Sequence, residues 1–323
     1  MNESAAQPRV TWLLPVRNGM PYIERTLASI AQQQYDNHEI IAWDNGSTDG
    51  TLEALCRWIP DRIAGRVVGD RPMGLGASLA AMVKMSRSEL CARIDADDLC
   101  EPDRLQQQTD YMQAHPRVAV VGSAVRLIDE HDQPLPDRPS LATDDADVRW
   151  RLRFCNALNH PTVMFRRGMI LGAGNYRDVM PIEDFDLWVR VALKHEMANL
   201  PQPLVRYRVL DSSVSASHRG RIDAIRRQIT HEYSDALFPG THRYILDRLL
   251  RLTGDADDPR VTLGDCIALR RAATRAAMAI GQPVDYFRRT ELYRVQSRSL
   301  NRRWLKAQPI VAAAWSTIKR RAA

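Results

Sequence analysis

An α/β fold built on a mostly parallel sheet is what the first two thirds of this 323-residue chain predict. Apolar runs of strand length recur at intervals that leave room for one helix between successive runs, the pattern of βαβ units covered on both faces. Polar and charged residues gather where those runs stop, and in such a sheet ligands collect beyond the carboxyl ends of the strands. From His218 onward the texture changes: strand signals cease, arginine multiplies and helical periodicity takes over. Two domains are therefore expected, 1–217 carrying the sheet and 218–323 a basic α-helical region, with the boundary in 211–219.

The first strand is Val10-Thr11-Trp12-Leu13-Leu14-Pro15-Val16, stopped by Arg17-Asn18-Gly19, and helical spacing follows over 22–30. His38-Glu39-Ile40-Ile41-Ala42-Trp43-Asp44 is a second strand; Asn45-Gly46-Ser47-Thr48-Asp49-Gly50-Thr51 turns into a helix over 52–58. A third strand over 66–69 leads through Arg71-Pro72-Met73-Gly74-Leu75-Gly76 to a helix over 77–85. The fourth strand, 90–94, delivers Asp95, Asp97 and Asp98, and a helix is expected over 104–114. Beyond it come a buried strand over 118–125, a Pro- and Asp-rich loop over 129–145 and a helix over 146–154. Asn159-His160-Pro161-Thr162 is a turn feeding a strand, Ile182-Glu183-Asp184 opens a helix, and a strand over 203–209 closes the sheet. Helical runs fill 222–237, 244–252, 263–280 and 286–297.

The stretch that organises the rest is Asp95-Ala96-Asp97-Asp98. Like charges this close repel and are costly to desolvate, so they call for a cation or water. On a strand, alternate residues share a face, which would aim Asp95 and Asp97 together. A hard divalent ion, Mg²⁺ or Mn²⁺, takes carboxylate oxygens and phosphate oxygens alike. The plainer alternative is an acidic turn capping the helix that starts near Pro102. Strand termini bearing Pro15, Arg17, Asn18, Asp44, Arg71 and the aspartates converge on one crevice, a set suited to a nucleoside diphosphate with its metal. Gly46, Gly74 and Gly76 make a weak phosphate loop, since neither G-x-x-x-x-G-K-[ST] nor G-x-G-x-x-G occurs.

Taken in order, Leu14-Pro15-Val16-Arg17-Asn18, Asp44-Asn45-Gly46-Ser47-Thr48-Asp49-Gly50-Thr51, Asp95-Ala96-Asp97-Asp98, His160-Pro161-Thr162-Val163-Met164-Phe165 and Glu183-Asp184-x-x-Leu187-Trp188 resemble the motifs of family 2 glycosyltransferases. These are inverting, nucleotide-sugar-dependent enzymes with the GT-A fold, and the resemblance covers about 10–217. It implies a divalent metal held by Asp97, with Asp95 nearer the ribose and Asp98 supporting either. It implies donor contacts from Pro15, Arg17, Asn18, Asp44 and Arg71, an acceptor contact from Glu183, and Asp184 as the base that deprotonates the acceptor hydroxyl. Trp188 reads as core and His160 as a turn residue. Two positions depart from the pattern: Asn45 stands where Asp is common, and Leu210 where a histidine often follows the last strand.

Net charge is +6 and hydrophobic residues make up 45% of the chain, ordinary for a soluble globular protein. The opening Met1–Gln7 reads as no secretory signal, and no apolar run approaches the roughly 20 residues that span a bilayer. Five cysteines without a C-x-x-C pair fit a reducing compartment, so the expected location is the cytoplasm. The segment 301–323 mixes six basic residues with Trp304 and Trp315 and has no carboxylate, suiting peripheral contact with anionic lipid at the inner membrane face. The expected partners are a UDP-sugar and a glycan or lipid-linked acceptor, not nucleic acid. Three other readings compete. A sugar-phosphate nucleotidyltransferase shares sheet and metal but needs a Gly-rich basic first turn. A haloacid-dehalogenase-type phosphatase carries its D-x-D on the first strand. A basic nucleic-acid-binding protein would use the tail, without any zinc or aromatic RNA motif to support it.

Overall fold

The structure is a computed structural model that describes residues 8–69, 72–136, 142–153, 155–179, 181–210, 219–237, 262–279, 281–290, 293–294 and 296–297. The chain falls into two compact units, Met1–Val148 with Asn156–Arg227, and Arg149–Cys155 with Gln228–Ala323. The boundary expected in 211–219 lies, for 211–218, outside the described residues.

The first unit holds an eight-stranded sheet in the order β3-β2-β1-β4-β7-β6-β8-β5. Its strands are β1 Val10–Val16, β2 His38–Asp44, β3 Gly65–Val68, β4 Leu90–Arg93, β5 Leu99–Cys100, β6 Val118–Ile128, β7 Met164–Arg166 and β8 Glu196–Arg208. Strands β1 to β4 pair in parallel, β6 and β8 pair in parallel, and β7 and β5 run against their neighbours. Every residue of β1 is buried, the signature of a strand covered on both faces. Trp12, Leu14, Ile23, Leu27 and Ile40 are fully buried and tie the sheet to helix α1, Ile23–Ala31. Helices α2 (Thr51–Trp58), α3 (Leu75–Met85) and α4 (Arg104–Ala114) follow β2, β3 and β5, and α5 (Asp145–Arg151) follows β6.

Three departures from the expected elements have physical causes. Strand β5 is two residues long, too short to show periodicity, and pairs antiparallel with β8 at the sheet edge. Strand β8 begins seven residues before 203 because Pro201 and Gln202 bulge out of register between Leu200 and Pro203, where a residue without N–H is tolerated. Helix α6, Arg167–Gly172, was not anticipated; it fills the connection towards α7, Glu183–Ala192.

Helix α8, Arg219–Leu237, belongs to the second unit from Gln228 onward, and α9, Leu263–Ala279, lies within that unit. Its described core gathers on Trp150, whose ring lies 5.5 Å from Phe287 and 5.6 Å from Tyr293. The indole Nε1 donates to Gln296 Oε1 at 3.0 Å. The expected run 244–252 and the segment 301–323 lie outside the described residues.

Candidate active site

Parallel pairing in register sets Val16 beside Asp44 and Leu13 beside Arg93, so β1, β2 and β4 end at one edge. Strand β4 stops at Arg93, and 94–98 form a turn closed by Asp98 N–H on Asp95 C=O at 3.3 Å. This corrects the strand argument: a turn, not alternation along a pleat, brings the carboxylates together. Ligand atoms of Asp95, Asp97 and Asp98 all lie within 4.8 Å of one another. The capping alternative also fails, because β5 separates the triad from α4 and Asp103, at the helix cap, makes no side-chain cap bond.

The turn is held from behind. The Thr26 hydroxyl lies 2.9 Å from Ala96 C=O and 2.8 Å from Asp98 C=O. Arg208, at the end of β8, donates its backbone N–H to Asp98 Oδ1 at 2.8 Å and its Nε to Asp97 C=O at 2.8 Å. The same guanidinium reaches Asp129 C=O and Asp132 and stacks 4.4 Å from the Tyr22 ring. Arg93, 2% exposed, forks onto both oxygens of Asp95. Its carbonyl is fixed in turn by Arg104, buried 4.9 Å over the Trp12 ring.

Burial, then Asp95, push Asp97 up to about 6, and the same causes with Asp97 added push Asp98 well above the usual carboxylate range. Both shifts express charge short of a counter-ion. Asp98 Oδ2 is buried and has no hydrogen-bond partner among the described residues. An orphaned carboxylate oxygen beside two more carboxylates is a hard-oxygen donor set, so these residues fit a divalent ion.

Glu183 and Asp184 open α7, where acidic groups are favoured by the helix dipole. Asp184 is half-buried; one oxygen accepts from Asn156 Nδ2 at 2.5 Å and the other from Phe185 N–H at 2.6 Å. Burial raises its pKa, while those two donors and the Arg93 charge pull it back. Glu183, only 4% exposed, points inward, with Oε1 4.0 Å from His160 Nδ1. Burial and then Asp184 push it up to about 7. The His160 Nε2 sits 3.0 Å from Tyr176 Oη. Burial first, then Arg93, hold His160 well below the usual imidazole range. His160 does stand in a turn, the 3₁₀ segment His160–Thr162, and it also faces the site. Trp188 is fully buried, as expected of core.

At the ends of β1 and β2, Pro15 is buried within β1 while Arg17 and Asn18 are exposed. Asn18 adopts a left-handed φ of 53° and joins the β2–α2 loop, its Oδ1 accepting from Thr48 N–H at 2.9 Å. The Asp44 carboxylate, 3% exposed, accepts from Ser47 N–H at 3.2 Å, and Asn45 Oδ1 accepts from Met73 N–H at 3.0 Å. Asparagine at 45 therefore has its own task, fixing the entry to α3. Arg71 lies outside the described residues. Gly74 and Gly76 are no phosphate cradle: a Cβ at Gly74 would meet Asp178 Oδ1 at 2.4 Å and one at Gly76 the Arg177 C=O at 2.3 Å, so they admit the Asp178 side chain and the 177–178 backbone. Arg93, Arg208, Thr26, Asn156 and Tyr176 escaped the sequence reading. The one visible signal was Arg93, a charge inside an otherwise apolar run.

The pattern of the family described as Glycosyl transferase family 2 matches residues 11–169. The amylovoran biosynthesis glycosyltransferase AmsE of Erwinia amylovora is 34% identical over 188 residues, 58% of this chain and 70% of that protein. Among solved structures, residues 1–349 of S. aureus TarS in complex with UDP-GlcNAc superpose with a TM-score of 0.60 at 14% identity, covering 92% of each chain. The chain spans 54% of the longer TarS structure. The mannosyltransferase PcManGT of Pyrobaculum calidifontis, in complex with GDP-Man and Mn²⁺, matches with a TM-score of 0.54 at 20% identity, covering 96% of this chain and 87% of that one.

Proposed function

Because the chain belongs to glycosyl transferase family 2, we propose that it moves a sugar from a nucleoside-diphosphate sugar to an acceptor hydroxyl with inversion at the anomeric carbon. The observation that carries this reading is the turn that gathers Asp95, Asp97 and Asp98 within 4.8 Å of one another, one of them forked by a buried arginine. Arg93 forks onto Asp95 and acts electrostatically on Glu183 and Asp184. The aspartate triad suits a diphosphate with its metal, and Asp184 supplies a base.

In this reading Asp97 and Asp98, with Asp95 beside them, hold Mn²⁺ or Mg²⁺, which when bound supplies positive charge for the departing nucleoside diphosphate. Asp184 accepts the proton of the acceptor hydroxyl as that oxygen attacks. Asn156 and Phe185 N–H fix the carboxylate for the transfer. Asp95, held by Arg93, faces the ribose, while Pro15, Arg17, Asn18 and Asp44 form the nucleoside wall; the family resemblance adds a donor contact from Arg71, which lies outside the described residues. A UDP-sugar is the donor we favour, and AmsE, by its name an amylovoran biosynthesis enzyme, suggests a bacterial surface polysaccharide or its lipid-linked precursor as acceptor.

A thermal-shift panel tests the donor. UDP-GlcNAc, UDP-glucose and GDP-mannose are each offered with Mn²⁺ and with EDTA, against sugar 1-phosphates and nucleic acid. A nucleotide sugar with Mn²⁺ is expected to stabilise the protein by about 2.7 kcal/mol at 100 times its Kd. Stabilisation by sugar phosphate with free nucleoside triphosphate alone would favour the nucleotidyltransferase.

We also propose that the basic C-terminal unit rests on anionic lipid at the cytoplasmic face of the membrane. No described helix is long and apolar enough to cross a bilayer. The outer face of α9 does carry Ile267, 43% exposed, and Met278, 63% exposed, with Arg270 and Arg271 exposed beside them. Apolar residues flanked by arginines suit an interfacial helix. The full chain should co-sediment with vesicles rich in anionic phospholipid and lose them as salt rises. Equal recovery with neutral vesicles, or none with either, would retire the lipid contact.

A further inference from the structure

We propose that Arg93 is a positioning residue for both halves of the site, its fork fixing Asp95 on the triad side and its buried positive charge offsetting Glu183 and Asp184 on the other. The assignment rests on reading Asp184 as the base.

The geometry begins in the sheet. Arg93 is the last residue of β4 and its backbone N–H donates to Val163 C=O at 2.9 Å. Val163 directly follows the 3₁₀ segment that carries His160, which faces Glu183. The Arg93 carbonyl is held by Arg104 Nη2 at 2.7 Å, so the residue is anchored at both backbone groups. Its side chain is 3% exposed, too enclosed to serve as a ligand contact, and its Nε is buried with no hydrogen-bond partner among the described residues. Burying a guanidinium is costly, and one carboxylate alone returns little net stability for it. A second set of negative charges explains why the arginine is there.

Several groups face Glu183. Asp184 lies on its own helix, His160 and Tyr176 on the turns packed against it, Asp95 on the triad turn and Arg93 on β4. His160 is held neutral and Tyr176 is pushed far above its ordinary value, so neither offers a charge. Among the described residues, Arg93 is the charge that favours the ionised form of Glu183. Arg93 also opposes protonation at Asp184.

Two functions, fork and charge, separate under substitution. Arg93→Gln removes both, whereas Arg93→Lys keeps a charge but cannot reproduce a bidentate fork. The readout is a carboxyl NMR titration of metal-free protein carrying ¹³C-labelled glutamate, with the Glu183 signal identified by its loss in Glu183→Gln. Alongside it, calorimetry measures UDP binding with Mn²⁺.

In Arg93→Gln the Glu183 signal is expected to titrate higher than in the parent by roughly one pH unit or more, the usual reach of a lost opposite charge. UDP affinity is expected to fall about tenfold or more as Asp95 loses its hold. Arg93→Lys should return the Glu183 titration towards the parent value and leave UDP binding weak. An unmoved Glu183 titration in Arg93→Gln, or one moved equally in Arg93→Lys, overturns the charge role. Parent-like UDP binding in Arg93→Lys overturns the fork. Should Arg93→Gln not fold, Arg93→Gln/Asp95→Asn removes both members of the buried pair, and its Glu183 titration is read against Asp95→Asn alone, so that the difference still reports the lost arginine charge. That titration needs no transferred sugar, so its failure is distinct from failure of the base assignment.

Discussion

Asp184→Asn is expected to turn over roughly 10²–10⁴-fold more slowly than the parent, the span that loss of a general base commonly costs. The substitution removes charge and little volume. The amide oxygen can still accept from Asn156 or from Phe185 N–H, though not from both through two carboxylate oxygens. Donor affinity should survive, because the proposed role of Asp184 is toward the acceptor and not the nucleotide. Single-turnover transfer from the donor identified in the panel, measured beside calorimetric nucleotide binding, separates the two effects. Near-full turnover would move the base to Glu183. The pH profile carries the same assignment. A base works ionised, and burial raises the Asp184 pKa, so the rate should climb with pH across a limb above the ordinary aspartate value of about 3.9. That limb should be absent from the residual activity of Asp184→Asn.

Metal-dependent nucleotide binding is the second large effect. With Mn²⁺ present, UDP should bind the parent far more tightly than in EDTA, and Asp97→Ala should erase the difference. The loss expected is on the order of 100-fold, since even residues that merely support metal ligands cost 10–100-fold when changed. Asp97 is the telling position because it is half-buried, pushed up to about 6, and held by Arg208 through its carbonyl alone. Its carboxylate is thus left for an ion. Asp95 differs, since Arg93 already occupies both its oxygens, and Asp95→Asn should cost less than Asp97→Ala. Calorimetry giving equal UDP affinity with Mn²⁺ and with EDTA in the parent would sink the metal reading.

Much of this was written in local pattern. Strands β1 to β4 announce themselves as apolar runs, and their polar termini mark the edge where the site stands, because strand direction and hydrophobic burial are local properties. What local pattern does not carry is the side chain's destination. Arg93 looks like a strand residue and turns out to be the buried guanidinium that forks onto Asp95. Glu183 looks like a surface acid at a helix start, yet lies 4.0 Å from His160 in the interior. Tyr176 sits in an irregular segment with no periodicity to flag it. The three aspartates do cluster, but through a turn and not a pleat, and nothing in Asp-Ala-Asp-Asp distinguishes the two. Prolines concealed the start of β8, because a bulge that accepts them looks from sequence like a strand boundary.

The rear clasp on the carboxylate turn has a consequence for synthesis. Thr26 and Asp98 are 72 positions apart, and Asp98 and Arg208 are 110 apart. A ribosome adding 5–20 residues per second needs on the order of 5–20 s to travel from the second of these residues to the third. Throughout that interval the nascent chain carries three crowded carboxylates without the arginine that seats them. Their final shape therefore forms late, when β8 closes against β6, and an emerging fragment would not trap nucleotide. Catalytic competence in this protein is a property of the finished sheet, acquired at its last strand.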